Sequence, residues 1–78
     1  MVTSGQIKMA RAALNWSISD LSSECAVSVR TLSRAETEEG FKNITAANLK
    51  LIVTTLERAG IEFIGAPGEG PGVRYWKK

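Results

Sequence analysis

The sequence predicts a mainly α-helical domain closed by a C-terminal β-hairpin. Three observations carry that reading. Residues 3–59 show helical apolar periodicity and hold no proline. Residues 60–78 hold both prolines, five of the seven glycines, and two short runs rich in β-branched and aromatic residues. The chain has 78 residues, enough for one small core and no more. The expectation is therefore a single domain over 1–78, with a compact four-helix core over 3–59 and a hairpin over 60–78.

The first helix starts near Ser4, where Thr3 or Ser4 can cap it. Ile7, Ala10 and Leu14 fall on one face, and Asn15 and Trp16 end it. Ser17 begins the second helix. Its spacing to Asp20 is that of a capping box, and Trp16 and Leu21 have the spacing of a hydrophobic staple. Ile18, Leu21 and Cys25 continue the apolar stripe. Ser28 caps a third helix from Val29 to about Glu36, with Leu32 and Ala35 facing inward. The polar stretch Thr37–Asn43 reads as a loop. Thr45 caps a fourth helix that runs to about Ala59, and Leu49, Ile52, Val53 and Leu56 give the strongest helical signal in the chain. Gly60 is placed to stop it. Ile61–Ile64 and Val73–Lys77 read as strands joined by the Gly/Pro-rich turn 65–72.

Composition removes several function classes. Histidine is absent and Cys25 is the single cysteine, so a Cys/His zinc site, an intrachain disulfide and a histidine-dependent triad are excluded. No set of acid, base and nucleophile suggests an enzyme, and nothing suggests a cofactor. The glycine-rich turn lacks the Lys-Ser/Thr ending of a phosphate loop. No run approaches the roughly 18 apolar residues of a membrane span, and MVTSGQIKM has no apolar signal core, so a soluble cytoplasmic protein with no membrane partner is expected. Hydrophobic residues make up 44% and the formal net charge is +2, which permits nucleic-acid binding without announcing it.

Two short helices joined by a tight turn over Ser17–Glu36 have helix-turn-helix geometry. Leu21 and Leu32 pack the pair, Val27 plugs the corner, and Ala26 sits in the turn. The second helix then presents its other face to solvent. The stretch Trp16–Glu36 resembles the helix-turn-helix of the XRE family, the phage lambda-repressor and Cro-type bacterial transcription regulators. Trp16, Ser17, Leu21, Val27, Ser28, Thr31, Ser33, Arg34 and Glu36 match the family pattern, and Leu32 replaces its isoleucine. Ile18 stands where the family often has Gln, and Ala26 where it usually has Gly. The hairpin takes the place of the usual fifth helix.

The resemblance implies a lambda-repressor-like domain that regulates transcription, as a repressor, by binding double-stranded DNA in the major groove; it says little about how the chain dimerises. It places Val29, Arg30, Ser33 and Arg34 against DNA. The side-chain chemistry agrees. Arg30 or Arg34 can hold guanine O6 and N7, and Val29 can meet a thymine methyl. Ser17, Ser28 and Thr31 can donate to phosphates, and Lys42 is a further phosphate candidate. The blander reading of Arg30 and Arg34 is a solvated helix face. The family also implies a structural salt bridge between Arg11 and Glu36. Trp16 reads as a staple rather than a base-stacking platform, and Cys25 as core.

Both faces of the hairpin carry apolar residues, and an isolated two-stranded sheet has two open edges. The expectation is a two-fold homodimer in which a second copy covers Ile64, Tyr75 and Trp76, by edge pairing or face packing. The blander alternative is that Trp76 folds back on its own helices. A second functional reading follows from the same residues. The chain could be an antitoxin-like or accessory module that grips a protein partner through the hairpin.

Overall fold

Every helix among the described residues begins behind a hydroxyl side chain. The structure, a computed structural model, describes residues 2–77. Its elements are α1 (Ser4–Ala13), α2 (Ile18–Cys25), α3 (Val29–Ala35), α4 (Glu38–Lys42), α5 (Ala46–Arg58), β1 (Ile61–Ile64) and β2 (Gly72–Tyr75). The caps are Thr3, Ser17, Ser28, Thr37 and Thr45, each accepting from a backbone N–H three residues on. Thr3 with Gln6 and Ser17 with Asp20 form full capping boxes.

The helices number five rather than four. The stretch expected to be a loop contains α4, a single turn of helix. Thr37 caps it, Glu38 and Glu39 suit the positive end of its dipole, and Lys42 suits the negative end. Gly40 hid this signal, because glycine weakens a helix. Its use here is spatial: a Cβ at Gly40 would collide with the carbonyl of Arg34. The bare glycine lets α4 turn back directly under the end of α3.

The core is shared by all the longer elements. Ile7 and Ala10 of α1, Leu21 and Cys25 of α2, Leu32 and Ala35 of α3, Ile52 and Leu56 of α5, Val27 in the turn and Ile61 of β1 form one buried cluster. Trp16, Leu49 and Phe41 pack against it partly buried. The principal extents are 29 × 26 × 18 Å. No helix among the described residues is long and apolar enough to cross a membrane.

The hairpin is antiparallel, pairing Ile61 with Tyr75, Glu62 with Arg74, Phe63 with Val73 and Ile64 with Gly72. The second strand therefore covers 72–75 rather than the expected 73–77. Ile61, Phe63 and Val73 face the helices and pack into the core. The outer face carries Glu62, Ile64, Arg74 and, beyond the strand, Trp76. That tryptophan does not fold back on the helices. It is 57% exposed, and its Nε1 donates to Glu62 Oε1 at 2.8 Å.

One buried side chain locks the hairpin to the helices. Gln6 has no solvent exposure. Its Oε1 accepts from the Thr3 N–H at 2.8 Å, and its Nε2 donates to the carbonyls of Ile64 (3.0 Å) and Gly72 (2.8 Å). A polar group at this depth is tolerable because every hydrogen-bonding atom finds a partner.

Candidate nucleic-acid interface

The turn between α2 and α3 is fixed by backbone and side-chain bonds together. The Ser22 hydroxyl donates to the Val27 carbonyl at 2.6 Å, and the Ala26 N–H donates to the Ser22 carbonyl at 2.9 Å. Ala26 adopts a left-handed conformation, φ 61° and ψ 23°. A residue with a Cβ pays about 1 kcal/mol there relative to glycine. Leu21, Val27 and Leu32 are buried beneath the turn, as their spacing requires.

Burying Leu32 and Ala35 leaves the opposite face of α3 in solvent. Val29, Arg30, Ser33 and Arg34 are all exposed, Val29 by 44%. Among the described residues, no ion pair involves Arg30 or Arg34. The seven-residue α3 is about 10 Å long. At the head of α3, the Ser28 hydroxyl accepts from the Thr31 N–H at 3.2 Å and donates to Thr31 Oγ1 at 2.9 Å. Ser17 likewise caps α2, accepting from the Asp20 N–H at 3.0 Å. Both serines spend one lone pair on the backbone; the Ser28 proton is also taken, by Thr31 Oγ1, so at this end of α3 the Thr31 hydroxyl carries the proton that can meet a phosphate.

A cleft opens beside α3. Thr31 and Arg34 form one wall, Glu39 and Gly40 of α4 another, and Asn43, Thr45 and Asn48 the third. The first-turn amides of Ala46 and Ala47 in α5 have no intrahelical acceptor. Lys42 is not in this cleft. It lines a separate depression with Glu38, Phe41, Pro67 and the N-terminal residues Val2, Thr3 and Ser4. The eight residues singled out from sequence thus separate: six lie on or at the head of α3, Ser17 heads α2, and Lys42 lies on another surface.

Sequence reasoning passed over Asn43 and Asn48, and it used Thr45 only as a cap. The missing information was α4, which brings these residues to Arg34. Thr37 followed by two glutamates was the available signal.

The other polar centre is structural. Arg11 Nε and Nη2 donate to Glu36 Oε2 (2.7 Å) and Oε1 (2.9 Å), and Nη1 donates to the Trp16 carbonyl at 3.0 Å. The pair ties the ends of α1 and α3 together. Hydrogen bonding to Glu36 raises the Arg11 pKa further above its ordinary value, against the opposing pull of burial. Burial pushes the Cys25 thiol up, so the thiolate is disfavoured. Among the described residues, no three His, Cys, Asp or Glu side chains come together as a metal ion would need.

No protein-family model matches the chain, and no curated protein or solved structure matches it either.

Proposed function

We propose that the protein is a sequence-specific DNA-binding regulator of transcription with a lambda-repressor-like fold, acting in the cytoplasm as a repressor that occupies its site as a homodimer. One observation carries the reading. The exposed face of α3 holds two arginines without an acidic partner among the described residues, on the second helix of a helix-turn-helix. An unpaired arginine at that position is free to read guanine in the major groove. Ser17 and Thr31, with the first turn of α5, supply donors for phosphates on either side. Two protomers would set their recognition helices about 34 Å apart, one turn of DNA.

The hairpin supports the homodimer. Tyr75 and Trp76 are 39% and 57% exposed at the open end of the hairpin, and Ile64, opposite Gly72 near its turn, is half-buried. Sedimentation of wild type and Trp76→Ala checks this: a dimer that dissociates on the substitution is expected, and a wild-type monomer at high concentration contradicts it. The same exposed aromatics favour a second reading, in which the hairpin grips a different protein. There Trp76→Ala abolishes function and the substitutions on α3 do not.

Selection from a random pool of duplex DNA tests the main reading. Enrichment of an inverted repeat, with guanine at the positions facing Arg30 and Arg34, is the expected result. Retention without enrichment would remove sequence-specific regulation.

A further inference from the structure

Glu38 and Glu39 are neighbours in the first turn of α4, equal in charge and in their relation to the helix dipole. They line different surfaces. Glu39 lines the cleft with Thr31, Arg34, Thr45 and Asn48, whereas Glu38 lines the depression with Lys42 and Phe41. Both are exposed, and neither takes part in an ion pair among the described residues. Glu39 is therefore a bare negative charge on the wall of the surface that carries Arg34. It does not neutralise that arginine. The Asn43 side chain donates to the Glu39 carbonyl at 3.2 Å, and Gly40 is wedged against the end of α3, so the backbone that carries Glu39 is anchored at the cleft.

A carboxylate beside a phosphate backbone repels it, and the repulsion does not depend on base sequence. We propose that Glu39 is an affinity-setting residue of the DNA interface, one that lowers binding to all duplexes from within the cleft. The inference rests on the DNA-binding reading above. Its consequence is a shorter residence on every duplex. Because the penalty is the same for all sequences, the ratio of affinities between sites is left to Arg30 and Arg34.

The built-in control is the neighbouring glutamate. Binding of wild type, Glu38→Gln and Glu39→Gln to a mixed-sequence duplex is measured at several salt concentrations. Glu39→Gln is expected to bind about three to ten times more tightly at low salt, with the gain shrinking as salt rises. Glu38→Gln makes the same change in net charge and is expected to shift affinity by less than about twofold. Equal gains for both variants would mean that net charge alone acts, and would overturn the proposal. Weaker binding by Glu39→Gln would also overturn it, by making Glu39 a favourable contact. A wild type that binds no duplex at any salt defeats the DNA-binding reading itself, and this inference with it. Thermal melting accompanies each variant, because both substitutions remove the same dipole interaction from α4 and should lower stability alike.

Discussion

Arg34 on α3 and Arg74 on β2 are both exposed arginines in opposite electrostatic settings. In the hairpin, Arg74 Nη1 lies 3.3 Å from Glu62 Oε1, and its guanidinium sits 5.6 Å from the centre of the Trp76 ring. Glu62 also accepts from Trp76, so three side chains neutralise and cover one another. On α3, neither Arg30 nor Arg34 has an acidic partner among the described residues. Arg11 is a third case, held by two bonds to a buried glutamate. The same residue type is thus paired with a carboxylate in two places and left without an acidic partner among the described residues in the third. Partner geometry, not exposure, separates them.

The largest effect on stability should come from the arginine that is most committed. Arg11→Ala leaves Glu36, whose side chain is 6% exposed, without its counter-charge. A loss of about 3 kcal/mol in chemical denaturation is expected. The protein that remains folded should bind DNA as wild type does, and a loss of affinity without a loss of stability would break the division between structural and ligand-binding arginines.

Gln6→Ala comes next. It removes the only side-chain donor to the carbonyls of Ile64 and Gly72 among the described hydrogen bonds. The expected cost is about 2 kcal/mol, with hydrogen exchange rising first in the hairpin. Unchanged exchange there would show that apolar packing alone holds the hairpin to the helices.

Ala26→Gly sharpens the contrast between the two regions from the other side. The hairpin begins with glycine at its left-handed position, Gly60 at φ 108°, whereas the helical turn uses alanine at φ 61°. The substitution should stabilise by about 1 kcal/mol, raising Tm by about 4–8 °C. Arg74→Ala is the smallest change. Both side chains of that pair are about half exposed, and the loss should stay under about 1 kcal/mol.

Much of this was legible in the sequence, for reasons that differ by element. The long helices were readable because cap, periodicity and stop agree: Thr45, then Leu49, Ile52, Val53 and Leu56, then Gly60. The core positions Leu21, Val27 and Leu32 followed from the geometry of two crossing helices. The α4 helix was not legible, because Gly40 argues locally against a helix and its reason is contact with α3. Gln6 shows a different limit. Its capping spacing from Thr3 is local, but its bonds to the hairpin span 58 and 66 residues. The cleft beside Arg34 depends on α4, so its residues were out of reach together. The hairpin's pairing was foreseen, whereas the direction taken by Trp76 was settled by Glu62, a partner that alternation along the strands does not single out.

The central claim is that the unpaired arginines of α3 bind DNA and the paired arginine of the hairpin does not. Fluorescence anisotropy with a labelled duplex, recorded for wild type, Arg30→Ala/Arg34→Ala and Arg74→Ala, tests it directly, with melting temperatures taken on the same samples. The account predicts that the double variant melts like wild type and binds at least about a hundredfold more weakly, while Arg74→Ala binds within about twofold of wild type. Full binding by the double variant, or a loss that appears only with Arg74→Ala, would contradict it.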